Sequence, residues 1–269
     1  MKRFFVSLGK GIVYPLLYLC IQFLFPLVYT SVQATLFLAS PEAAGLSAAA
    51  AMAQLTHIIT GKLMAISLVC SLITIGLYCL TAPMCRRSLR EHLWLYPMAS
   101  QDIIPVLLLG ISANLLLSAL LEWLPIPAQW MSDYEVSSAW IPQDLTAASF
   151  LFVGLAGPVT EELCFRGLLF TRLRQGMPQA AAALISAILF GLAHGNLVWF
   201  LYAFPLGLVM VWIFCRFGSV WATMLFHIGF NITGLLIPQE SSLILLLLLG
   251  CLGTAGCSFW VWKRTENAT

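Results

Sequence analysis

Charge is what this sequence lacks. Asp, Glu, Lys and Arg make up 9% of its 269 residues, against about 25% in an ordinary soluble domain. With 61% hydrophobic residues and a mean hydropathy of +0.93, a soluble fold is excluded and a polytopic all-α membrane protein is expected. The net charge of +2, carried by dispersed Lys and Arg, excludes the basic footprint of a nucleic-acid binder. The eight cysteines (Cys20, Cys70, Cys79, Cys85, Cys164, Cys215, Cys251, Cys257) show no C-x-x-C spacing. Nearly all lie in apolar runs and read as small buried hydrophobes. Also missing are an H-E-x-x-H motif, a Ser–His pairing at triad-like positions, an internal repeat and a soluble accessory domain.

Long apolar runs are abundant. Hydropathy and Gly/Pro punctuation predict about eight spans, at 11–29, 63–82, 103–121, 147–174, 179–194, 197–215, 219–237 and 243–262. The opening Met1-Lys-Arg-Phe-Phe imitates a signal peptide. Its apolar run from Ile12 to Val28 exceeds a usual h-region, however, and no small-x-small site closes it, so a retained first span is expected. The Ala-rich stretch 41–61 reads equally as an interfacial helix or as an extension of the second span. With the N-terminus cytoplasmic, eight spans place Lys2, Arg3, Lys10, Arg86, Arg87, Arg90, Arg172, Arg174, Arg216, Lys263 and Arg264 on the cytoplasmic side. Lys62 then lies outside, as does the loop 122–144, which holds Glu122, Asp133, Glu135 and Asp144 but no Lys or Arg. This asymmetry follows the positive-inside rule, so both termini are expected in the cytoplasm. The compact architecture suggests a bacterial cytoplasmic membrane. By organisation the chain divides into N-terminal helices (1–144), a central block (145–237) and a final span with a short tail (238–269).

Two adjacent glutamates, Glu161 and Glu162, interrupt one of the most apolar stretches, and Arg166 follows one turn later. An ionisable group at membrane depth is costly and is a functional candidate by default. His194 ends one apolar run and His227 lies inside another, four residues before Asn231. His57 and His92 lie in polar or interfacial segments and read as bystanders. Counted from the turn at Gly176-Met-Pro178, Glu161 and His194 sit at similar depth, roughly 20–25 Å along antiparallel helices at ~1.5 Å per residue. His227, counted from the turn at Gly218, is shallower at roughly 13 Å and needs helix offset or tilt to join them. Glu162 and Arg166 form an i,i+4 ion pair, Phe190 and His194 share that spacing, and Glu161 points about 100° away from Glu162. Pro158, one turn before the glutamates, frees a carbonyl and opens space beside them.

Glu161-Glu162-x-x-x-Arg166, Phe190-x-x-x-His194 and His227-x-x-x-Asn231 resemble, in order and spacing, the three signature motifs of the CPBP family. That family includes type II CAAX prenyl proteases and bacteriocin-processing or Abi proteins. The resemblance covers roughly residues 145–237 and implies an intramembrane endopeptidase reached from within the bilayer or its cytoplasmic edge. It implies that Glu161 activates a water, His194 holds or polarises that water, and Asn231 stabilises the oxyanion with His227 close by. Glu162, Arg166 and Phe190 would support the site. Cofactor use is left open between none and zinc, for which Glu161, His194 and His227 are adequate ligands. The expected partners are the lipid bilayer and a membrane-anchored protein or peptide substrate, with no nucleic acid. A proton-coupled transporter and a non-catalytic immunity or scaffold protein of the same fold are the alternatives.

Overall fold

The computed structural model describes residues 2–138, 145–237 and 241–266, and among them there is helix but no strand. Asp144, and the side chains of Lys2 and Arg264, lie outside the described residues. A bilayer leaves no water to satisfy backbone groups, so a chain this apolar must close its hydrogen bonds within helices. It does so in eight apolar helices that coincide with the eight predicted spans. Six are long and apolar enough to cross a membrane, and Gln179–Leu192 and Val220–Leu236 are shorter. The protein is an integral, multi-pass helical membrane protein.

The first helix, α1, runs Lys2–Leu19, passes through a π-helical turn at Cys20–Leu24 and continues over Phe25–Leu38. After a single turn at Pro41–Ala44 comes α2 (Ala48–Met84), an unbroken helix of 37 residues capped by the Ser47 hydroxyl. Residues 48–61 are therefore an extension of the second span. At ~1.5 Å per residue α2 is about 55 Å long, well beyond a hydrocarbon core of about 30 Å. The short α3 (Leu89–Leu93) starts at a capping box between Ser88 and Glu91. α4 (Ser100–Trp123) follows, then α5 (Ala128–Ser138), which lies in the stretch read from sequence as a loop. The central block comprises α6 (Ala147–Leu173), α7 (Gln179–Leu192), α8 (Leu197–Phe217) and α9 (Val220–Leu236), and α10 (Leu243–Glu266) ends the described chain.

Glycines allow the closest crossings. A methyl group on Gly229 would stand 2.6 Å from the Leu107 carbonyl oxygen, and one on Gly110 would overlap the Phe226 backbone. Small residues let α4 and α9 approach at backbone distance, the usual device for packing helices in lipid. The α8–α9 turn is closed by Gly218 in the left-handed region (φ 60°), where a side chain would be strained.

Candidate functional site

The site is built on α6, whose helix is irregular on both sides of the glutamates. Residues Phe150–Ala156 and Leu163–Phe170 are π-helical, and π-turns recur at functional sites because they re-aim side chains. In the first, the Gly157 N–H reaches back to the Phe152 carbonyl, so the next position would serve Val153. That next position is Pro158, which has no N–H. Asn231 takes its place, donating one N–H to Val153 O at 2.9 Å. The carbonyl freed by Pro158 is thus satisfied by an amide on α9.

The two glutamates differ in surroundings. Glu162 is fully buried, and its Oε1 accepts from Arg166 and from His227 Nδ1, both at 2.9 Å. Glu161 is 18% exposed; its Oε1 accepts the Tyr18 hydroxyl at 3.0 Å, and its Oε2 stands 3.8 Å from His227 Nε2. His227 therefore lies between both carboxylates, bonded to one and facing the other. The expected Glu162–Arg166 pair is present, and His227 also depends on Glu162.

Depth explains the difference. Gly167 packs against Leu93 O and the Val220 side chain, which puts residues 167 and 220 at one level. From there Glu162 is five residues along α6 and His227 seven along α9, roughly 8 and 10 Å, so they meet. Counting from the turns made His227 look shallow because α6 continues below that level to Leu173.

Phe190 is the hub beneath the polar groups. Its ring carries the Arg166 guanidinium at 4.3 Å and packs edge-on to Phe165, His194 and His227 at 5.3, 4.9 and 5.9 Å. Its carbonyl oxygen lies 2.8 Å from His194 Nδ1. A carbonyl only accepts, so Nδ1 carries the hydrogen and Nε2 of the neutral ring presents a lone pair. His194 makes no hydrogen bond or ion pair with either glutamate among the described residues, but it lines the same cavity of ≈ 780 Å³ as Glu161, His227, Asn231 and Tyr18. Arg166 gives a further N–H to Gly207 O at 3.3 Å.

Tyr18 was not foreseen. A tyrosine at membrane depth needs a partner for its hydroxyl, and Tyr14, Tyr18 and Gln22 recur every fourth residue on one side of α1. That stripe is the signal that pointed to it. His92, read as a bystander, is fully buried and held between Thr81 at 2.8 Å and Arg172 at 3.0 Å. Its burial comes from the packing of α3 against α6, which no local pattern announces.

Among the described residues no three His, Cys, Asp or Glu are gathered as a metal site would require, Glu161, His194 and His227 included. The donor set as arranged does not form a three-ligand zinc site, and no step is derived through a metal.

Residues 143–233 match the family described as "Type II CAAX prenyl endopeptidase Rce1-like". This segment belongs to the CPBP family. The chain is also 29% identical over 77 residues to the Bacillus subtilis (strain 168) protein named "Putative membrane peptidase YdiL", a stretch covering 29% of this chain and 32% of that one. No solved structure matches. The CPBP segment holds all seven residues of the three motifs. Tyr18 and α2, which also lines the cavity through Leu63 and Ser67, lie outside it.

Proposed function

We propose that the protein is an intramembrane endopeptidase that hydrolyses a peptide bond of a membrane-associated protein or peptide with water activated by Glu161. The observation that carries this reading is the half-held state of that carboxylate. Tyr18 fixes Oε1, while Oε2 faces the cavity 3.8 Å from His227 Nε2. That distance is too long for a direct hydrogen bond, so Oε2 is left to accept from a water in the cavity.

The chemistry follows from the donors and acceptors. Glu161 Oε2 takes a proton from the water, whose oxygen adds to the scissile carbonyl carbon. The His194 Nε2 lone pair accepts the second O–H and orients the attack. The oxyanion that forms takes a hydrogen bond from the second N–H of Asn231, the first being engaged by Val153 O. The C–N bond then breaks as Glu161 returns its proton to the amine nitrogen. Glu162 holds His227 through Nδ1, and Arg166 balances the Glu162 charge. The expected substrate is membrane-anchored, and the bacterial relative supports a place in a bacterial cytoplasmic membrane.

The test uses purified protein and its Glu161→Gln and His194→Ala variants with a panel of membrane-anchored peptides, with and without chelator. Cleavage by the wild type and by neither variant is expected. Cleavage unaffected by both substitutions would overturn the assignment. Activity lost to chelator and restored by zinc would move the reaction to a metal.

A further inference from the structure

The cavity has a floor and a mouth, and the charges around the bundle tell which side each faces. The floor is Phe165, Met210 and Phe226. Below it, Leu93, Leu168, Phe170, Phe214 and Val220 are at most 1% exposed and form a packed layer. The rest of the lining climbs away from that layer to Leu121, Tyr134, Ser138, His194, Trp199 and Leu235. These residues stand at the far ends of α4, α7, α8 and α9 and on α5.

Beyond the packed floor lie the basic segments. Gly176 abuts Arg3 O and Ser7; Arg172 donates to His92 O; Arg174 lies over Trp94 and Phe214; Ser219 donates to Tyr96 O. These contacts bring the start of α1, the segment around α3, the end of α6 and the α8–α9 turn to one end. Gly250 and Gly253 of α10 face Leu116 and Ser112 of α4, an antiparallel register that carries Lys263 to the same end. Lys62 lies 22 residues before the end of α2, about 33 Å away and across the bilayer. The mouth end carries Glu42, Glu122, Asp133 and Glu135, and among the described residues Lys62 alone of the cations. Cationic ends stay in the cytoplasm.

We infer that the site takes its substrate from the extracytoplasmic side, so that the bond it cuts lies in the extracytoplasmic juxtamembrane segment of a membrane-tethered chain. This rests on the peptidase reading above, and it reverses the cytoplasmic entrance implied by resemblance to CAAX processing. A tethered chain is favoured over a soluble one because the cavity wall includes Phe23, on a flank of α1 where Phe23, Leu24, Phe25 and Leu27 are each more than half exposed. In a membrane-spanning helix such a flank meets lipid.

Two readouts test the inference separately. In spheroplasts of a bacterial host, a membrane-impermeant maleimide is applied to wild type and to Val136→Cys, on an exposed face of α5 at the mouth. Cys85, exposed beside Arg86 at the basic end, serves as the opposite marker. Val136→Cys should gain a label in intact spheroplasts, and Cys85 should react only after permeabilisation. In parallel, two matched sets of single-span reporters carry a randomised juxtamembrane segment on the extracytoplasmic or the cytoplasmic flank. Cleavage that depends on the protein and disappears with Glu161→Gln is expected in the extracytoplasmic set alone. Reversed labelling, or cleavage confined to the cytoplasmic set, overturns the inference. Labelling as expected with neither set cut upholds the entry side while sinking the peptidase reading.

Discussion

Two clusters of buried polar side chains lie along α6, and each joins an arginine to a histidine. At the basic end, Arg172 donates to the carbonyls of His92 and Gly167, to the Thr171 hydroxyl and to His92 Nδ1, and His92 is completed by Thr81. None of these partners is a carboxylate. Less than two turns away, Arg166 pairs with Glu162, its Nε finds no partner among the described residues, and the neighbouring Glu161 opens on the cavity. Burial and polarity are common to both. What marks the second as a site is imbalance beside space: Glu161 Oε2 accepts no hydrogen bond from the described residues and has room beside it for a molecule to supply one. The first reads as structural cement between α3 and α6.

The sharpest way to break this contrast is Glu161→Gln. Gln keeps the shape and an acceptor for Tyr18 but cannot take a proton. Peptide cleavage should fall by about 10²–10⁴-fold, the usual worth of a general base, while the melting midpoint in detergent stays near wild type. A variant that loses stability along with activity would make Glu161 structural. Glu162→Ala should behave oppositely. It strands the fully buried Arg166 guanidinium, and removing one partner of a buried pair costs about 3–5 kcal/mol. Denaturation of Glu162→Ala beside Glu161→Ala measures this, and equal losses would erase the division of labour between the two.

Asn231 sharpens the comparison because it has a foot in each role. Asn231→Ala leaves the Val153 carbonyl unpaired, at about 1–3 kcal/mol, apart from any effect on catalysis. Pro158→Ala restores the missing N–H at the position that serves Val153. In the double variant stability should recover and cleavage should not. If cleavage recovers too, Asn231 only repairs the backbone.

How much of this was legible follows from which forces are local. The eight apolar runs could be read because lipid demands continuous helices. The true lengths of α1 and α2 could not, since a helix may continue past the bilayer without any change in pattern. The three motifs were visible in spacing, as was the Glu162–Arg166 pair. The second bond of Glu162, to His227, depends on the level at which Gly167 lets α3 and α9 close on α6, which is a tertiary fact. The burial of His92 was hidden for the same reason: its charged neighbours in sequence, Arg90 and Glu91, give no sign of the packing that encloses it.

His92 also supplies the mildest test, one of pH. Arginine only donates, so His92 Nδ1 accepts from Arg172, and Nε2 must carry the hydrogen that goes to Thr81. Protonating the ring would turn an N–H toward the guanidinium. Burial, and then the charges of Arg172 and Arg87, push the His92 pKa down to about 4. In the unfolded chain it returns to about 6.5. As pH falls below about 6.5 the unfolded state therefore binds a proton that the folded state refuses. This part of the stability is complete above about pH 6.5 and is lost progressively toward pH 4. His92→Gln should lower the melting midpoint at neutral pH but flatten its decline between those limits relative to wild type, the carboxylates contributing equally to both curves. Parallel curves would mean that His92 is protonated in the fold, and that the lower cluster carries an imbalance of its own.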